Sequence, residues 1–220
     1  VDTIGAYNAG MSAVLIENYE AAELNYKKCI KHGYGGADVY LKLSDVYKKM
    51  GATEKANTTI LEAKSKFKGD PAVILNEAQI FADNKEYDKA KASLEDALKN
   101  NPSNFQLQYA AAIIYSNMEL FDAAIVAYKK ALALKPEMEE LKSDMAIVHY
   151  NKIVIMNEEM NKIDYTETAK YDKAKAERDA YITEILPMIE ARYKDDSSES
   201  MKRILNNLYG LTGQTDKRIK

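Results

Sequence analysis

The chain has 220 residues, 46% of them apolar and 30% charged, a composition that excludes both a disordered and a membrane-embedded chain. Nine glycines and four prolines against 29 alanines and 16 tyrosines leave too few turn residues for a sheet protein, so an almost wholly helical chain is expected. Basic and acidic side chains are balanced, 31 against 34, with a net charge of −3, and no basic face suited to nucleic acid is expected.

In chain order, apolar periodicity predicts helices over 3–14 and 18–31, 37–50 and 53–67, 71–83 and 87–100, and 105–117 and 121–134. These pairs repeat every 34 residues without insertion. In the second helices the columns are Tyr19/Thr53/Tyr87/Phe121, Ala22/Ala56/Ala90/Ala124, Tyr26/Ile60/Leu94/Tyr128 and Cys29/Ala63/Ala97/Ala131. In the first helices they are Gly10/Ser44/Ala78/Ala112 and Ala13/Tyr47/Phe81/Tyr115. Small columns let paired helices approach closely, and the large column beside them fills the remaining space. Pro102 and Pro136 end second helices because proline lacks an amide proton and restricts its predecessor. The loop Gly33–Gly36 is expected to be a turn, since no strand or dinucleotide fingerprint surrounds it.

After residue 138 the period breaks. A helix begins in phase, with Glu139, Met145, Ala146 and His149, but its apolar stripe runs on through Ile153, Met156, Met160 and Ile163. Asp164 followed by Glu167 predicts a capped helix start, and a second long helix is expected over about 165–194. That helix carries Ala169, Ala176 and Ala180 on one stripe and Tyr181, Ile185 and Ile189 on another. The stripe from Ile153 to Ile163 is expected to pack on the alanine face, with an exposed partner patch as the alternative. Pro187 is expected to kink the helix or break it near Glu184.

These columns, with Ala6-Tyr-Asn-Ala-Gly10 at the start, resemble the tetratricopeptide repeat, and the likeness runs over residues 3–213. Leu186-Pro-Met-Ile-Glu-Ala191, Leu205-Asn-Asn-Leu-Tyr209 and Gly213 resemble the last repeat and terminal helix of bacterial members. The resemblance implies an all-α fold, a right-handed α-α superhelix of stacked antiparallel helix pairs. It implies four units (3–36, 37–70, 71–104, 105–138), then an elongated helical hairpin with a capping helix over 139–213, as one continuous solenoid. Glu77 and Gln108 depart from it, occupying columns that the family usually keeps apolar. Ala6 and Ala13 replace large residues, so the first unit is expected to pack more loosely and to have an upstream neighbour in a longer protein. Exported Gram-negative relatives imply a periplasmic location, with a cytoplasmic one left open.

Family members bind peptides in the concave groove lined by their first helices. The implied groove residues here are Tyr7, Leu41, Leu75 and Tyr109; Met11, Asp45, Gln79 and Ile113; and Leu15, Lys49, Asp83 and Asn117. The family's best-known peptide-binding version grips a C-terminal carboxylate with lysines and asparagines in these columns. Tyr7, Met11, Leu75 and Tyr109 do not fit that pattern, and a peptide with apolar anchors suits them better.

Reactive groups are sparse. Cys29 sits in a small core column, His149 in an aromatic column and His32 at a helix end, and no metal, hydrolase or phosphate-loop motif occurs. No catalytic residue, cofactor or metal is expected, nor is a membrane span of about 18 apolar residues. The expectation is a non-enzymatic scaffold for an unknown protein or peptide. The alternative is an assembly module that forms a homodimer through the C-terminal hairpin.

Overall fold

The computed structural model describes residues 2–219, and its helices fall in successive pairs. They are α1 (Thr3–Leu15), α2 (Tyr19–Lys31), α3 (Gly36–Lys49), α4 (Thr53–Lys66), α5 (Pro71–Asp83), α6 (Tyr87–Asn100), α7 (Phe105–Asn117), α8 (Phe121–Leu134), α9 (Glu139–Asn161), α10 (Thr168–Asp195) and α11 (Glu199–Leu211). No strand occurs among the described residues. The all-helical repeat array read from the sequence is the fold observed. The chain divides into two compact units, Val1–Ile114 and Tyr115–Lys220.

Local chemistry sets the helix ends. Asp2 caps α1 through the Gly5 amide at 2.7 Å, and Asn18 caps α2 through Ala21 at 3.1 Å. Asp70 accepts from both Ala72 and Val73 to open α5, with Pro71 at the first helical position, where no amide proton is needed. Inside each of the first four pairs the chain reverses through one left-handed residue: Glu17, Gly51, Lys85 and Glu119, with φ of 57°, 72°, 60° and 58°. The following amide closes the same bond each time, Asn18 to Ala13, Ala52 to Tyr47, Glu86 to Phe81 and Leu120 to Tyr115, at 2.7–2.8 Å. The backbone therefore keeps the 34-residue period even where the side chains at these turns do not. Gly33, Gly35 and Gly36 all have positive φ, and the glycine loop is a turn into α3.

In the first unit the small columns are fully buried: Ala22, Cys29, Ala56, Ala63 and Ala90 have no measurable exposure. Tyr26, at 1% exposure, lies so close to α1 that a β-carbon on Gly10 would sit 2.6 Å from its ring. Ala6 and Ala13 are buried as well, and Tyr7, Tyr26 and Tyr34 meet edge to face beside them. The two polar residues in apolar columns are satisfied. Buried Glu77 accepts from Lys64 Nζ at 2.7 Å and Ser93 Oγ at 2.8 Å, while buried Gln108 donates to the Pro102 carbonyl at 2.8 Å.

In the second unit α9, α10 and α11 share a core of Ala146, Ile153, Ile182, Ile185, Ile189, Met201, Leu205 and Leu208. Arg192, 9% exposed, ties the end of α10 to the start of α9 through Ser143 Oγ at 2.9 Å and Glu139 Oε2 at 2.6 Å. Local structure departs from expectation at three points here. The break offered near Glu184 does not occur: α10 continues through Pro187, which is exposed, while Ile185, Leu186 and Ile189 are buried on either side of it. Asp164 makes a turn, accepting from the Thr166 amide and hydroxyl at 2.8 and 2.6 Å, and α10 starts at Thr168 with Glu167 as its flanking residue. The alanine stripe is the outer face of α10. Ala169, Ala176 and Ala180 are exposed, and the Tyr181/Ile185/Ile189 stripe turns inward because it offers more apolar area to bury.

Candidate functional site

The sequence-derived groove residues lie on the first helices of the pairs, and the structure separates them into packed and open sets. Tyr7 is half-buried, and its hydroxyl donates to Asp38 Oδ2 on α3 at 2.6 Å. That bond, then burial, pushes its pKa up to about 12, so Tyr7 holds α1 to α3 as a neutral donor. Leu41 and Leu75 are half-buried, with Leu41 packed on the first unit's core, and Tyr109 stacks on Phe105 at 6.1 Å. Met11, Asp45, Lys49, Gln79, Asp83 and Ile113 are exposed, as is Asn117 in the second unit. Gln79 Nε2 donates to Asp83 Oδ1 at 2.7 Å, which leaves the α5 part of this face polar.

Met11, Asp45 and Lys49 converge on a pocket of about 310 Å³ between α1 and α3. Its walls are Met11, Val14 and Leu15 of α1, Tyr19 and Tyr26 of α2, and Val46 of α3. Lys42, Asp45 and Lys49 form a charged rim on one side. Lys42 lies 3.7 Å from Asp38, and Asp45 lies 3.6 Å from Lys48, both loose pairs along one helix. Met11 is 41% exposed and Leu15 83%, so apolar surface continues outward from the pocket mouth. Val14, Tyr19 and Lys42 are not in the sequence-derived set. Val14 and Lys42 each sit three residues from a member of it, Met11 and Asp45, which is the helical-face signal that would have included them.

The scarce reactive groups are engaged in packing. Cys29 is fully buried, its Sγ lies 3.6 Å from the Thr3 carbonyl, and burial pushes its thiol pKa up, opposing the thiolate. His149 is 6% exposed, with Nδ1 2.6 Å from the Tyr181 hydroxyl. Burial, then Lys129 and Lys152, lowers the imidazole to about 4, and burial raises Tyr181 to about 12. Both are therefore neutral near pH 7. His32 is the exposed residue flanking the C-terminus of α2. Among the described residues no group of His, Cys, Asp and Glu could hold a metal ion, and no helix is long and apolar enough to cross a membrane.

Stacked helix pairs with a fixed 34-residue backbone period define a helical-repeat protein. The chain belongs to the tetratricopeptide-repeat family. Residues 6–120 match the description Tetratricopeptide repeat protein 21 ARM repeat, and residues 105–138 match Tetratricopeptide repeat. No curated protein matches the chain. Among solved structures, PilF of Pseudomonas aeruginosa is 16% identical over 97% of this chain and 96% of its own, with a TM-score of 0.60. MamA is 18% identical over 88% and 95%, with a TM-score of 0.58. YrrB, described as a TPR protein with an unusual peptide-binding site, is 20% identical over 62% and 71%, with a TM-score of 0.50. At these identities the likeness is one of fold. The family is one of protein-interaction scaffolds, generally non-catalytic.

Proposed function

We propose that the first unit is a peptide-binding scaffold that works by recognition and not by catalysis. Its ligand is a segment of another protein with at least one large apolar anchor. The observation that carries this reading is the pocket between α1 and α3, whose walls are apolar and whose charges stand on one rim. Such a recess takes up an apolar side chain, while the rim fixes the polar backbone and neighbours of the ligand. Tyr7 and the neighbouring tyrosines hold the recess open without filling it, because Tyr7 is committed to Asp38 and to ring contacts with Tyr26 and Tyr34. A peptide site in the structural neighbour YrrB gives the reading a precedent within the fold.

The test is selection of binders from a random-peptide library on the full chain, followed by NMR shift mapping with the selected peptides. Selected sequences should share an apolar anchor, shift the amides of Met11, Val14 and Lys49, and lose about tenfold or more in affinity to Met11→Glu. Peptides that bind Met11→Glu unchanged, or that shift only the second unit, would remove the proposal.

A further inference from the structure

The last described residues double back along α11. After the left-handed Gly213, with φ of 74°, the Gln214 amide donates to the Tyr209 carbonyl at 2.8 Å. A short 3₁₀ turn covers Thr215–Lys217, and Arg218 is extended, with φ of −59° and ψ of 132°. Ile219 then meets Asn206, three residues nearer the start of α11 than Tyr209. Asn206 Nδ2 donates to the Ile219 carbonyl at 2.9 Å, and the Ile219 amide donates to Asn206 Oδ1 at 2.7 Å. One side-chain amide thus satisfies both backbone groups of one residue, as a neighbouring strand would.

The side chains make this contact selective. Ile219 is half-buried and packs on the core shared by α9, α10 and α11, whereas Lys217 and Arg218 stay exposed. Arg218 crosses Gly210 with its guanidinium in the space where a β-carbon would stand, so the glycine admits the tail at this point. Asn206 also lines an open cleft of about 480 Å³, with Lys202, Arg203 and Asn207. That cleft lies toward the start of α11, the direction in which the tail runs from Tyr209 to Asn206.

We propose that this face of α11 is a recognition site for an extended segment of another protein, and that the tail occupies it in cis as a strap which such a segment displaces. The segment carries an aliphatic residue at the Ile219 position and continues into the cleft. Asn206 needs a backbone amide proton there, which excludes proline, and the half-buried seat selects a side chain like isoleucine. A second copy of the chain does not suit this role. Its tail must leave an equivalent site, so the exchange gains no contact and still costs association entropy. A segment of another protein that reaches Arg203 adds contacts beyond the Ile219 position. The site shares no residue with the pocket of the first unit.

A peptide with the sequence of residues 214–220 tests this by NMR titration into the full chain and into its Ile219→Asp variant. The titration runs to millimolar peptide, the effective concentration of a segment on a short linker. The peptide should bind Ile219→Asp, shifting the Gly210 amide and the Asn206 side-chain amide. It should bind the parent about tenfold or more weakly, because the parent's own tail competes. Ile219→Pro in the peptide should abolish binding, as should Asn206→Leu in the Ile219→Asp chain. A library that keeps this sequence and randomises the three residues after its isoleucine should yield members that bind the parent itself. Those members should lose about tenfold in affinity to Arg203→Ala. Thermal melts of each variant keep loss of binding separate from loss of folding. No binding to Ile219→Asp, equal affinity for parent and variant, tolerance of proline, or a library without a binder to the parent would overturn the proposal. So would a concentration-dependent dimer of the parent that Ile219→Asp abolishes, which would assign the site to a second copy's tail.

Discussion

Lys64 of α4 donates to Glu77 of α5 at 2.7 Å, joining a side chain that is 51% exposed to one that is 5% exposed. The asymmetry decides what each partner contributes. Glu77 has left water and depends on Lys64 and Ser93 for its hydrogen bonds, whereas Lys64 keeps half of its hydration. Lys64→Met should therefore strand a buried carboxylate and cost about 1–3 kcal/mol. Glu77→Leu restores an apolar column and should change stability by less than about 1 kcal/mol, since replacing a buried ion pair by hydrocarbon is often neutral. Urea unfolding midpoints of the two variants check this. Equal losses would mean that the pair itself stabilises the stack.

Gly10 and Tyr26 share one small volume. A β-carbon at Gly10 would lie 2.6 Å from Tyr26 Cε1, and that ring is 1% exposed with nowhere to retreat. Gly10→Ala gains roughly 1 kcal/mol of helix propensity but overpacks a filled site, at a cost of about 1–3 kcal/mol. A lower melting temperature is expected despite the better helix former. Tyr26→Leu on that background should recover part of the loss, as the Ser44/Ile60 and Ala78/Leu94 pairings in the same columns suggest. A Gly10→Ala protein more stable than the parent would sink this account.

Much of this architecture was legible in the residues, and its failures have a common cause. The first eight helices begin and end within a residue or so of the periodicity reading, because small and large columns recur in register. Columns name faces, however, not distances. They indicated that Met11, Asp45 and Lys49 share a face, but not that a pocket between α1 and α3 would add Val14, Tyr19 and Lys42, because a pocket depends on the spacing between helices, which a column does not carry. In the hairpin no repeat constrains the phase, and the choice of inner stripe on α10 fell to relative apolar area, which favours Ile185 and Ile189 over Ala176 and Ala180. Glu17, Lys85 and Glu119 gave no turn signal at all. Their left-handed conformation is imposed by the helices they join.

Those three turn residues yield a stability prediction. A non-glycine residue at positive φ is strained by its β-carbon, and the equivalent position in the second pair is already Gly51. Lys85→Gly and Glu119→Gly should each stabilise by roughly 0.5–1 kcal/mol. Glycine's larger loss of unfolded-state freedom opposes the relief of strain and limits the gain. The double variant should be at least as stable as either single one. Gly51→Lys, the reverse change, should destabilise by a similar amount. Differential scanning calorimetry of the four proteins measures both directions, and a stabilised Gly51→Lys would contradict the argument.

Buried His149, bonded to half-buried Tyr181, makes stability depend on acid. In the folded chain the imidazole titrates at about 4, against an ordinary value of 6.5, because burial and the nearby Lys129 and Lys152 disfavour its charged form. The unfolded chain therefore takes up a proton between those two values while the folded chain does not. By linkage, the contribution of His149 is fully present above about pH 6.5 and is lost as pH falls toward 4. Carboxylates held low by their partners, such as Glu23 beside Lys27 and Asp196 beside Ser143, add their own losses mainly at the acid end of this window and below it. His149→Phe removes the titrating group and places in α9 the aromatic residue that Phe81 supplies in the same column. Urea midpoints at several values between pH 7 and 4.5 should fall for the parent and stay nearly level for His149→Phe. Parallel slopes for the two proteins would show that the ring is not the group that responds.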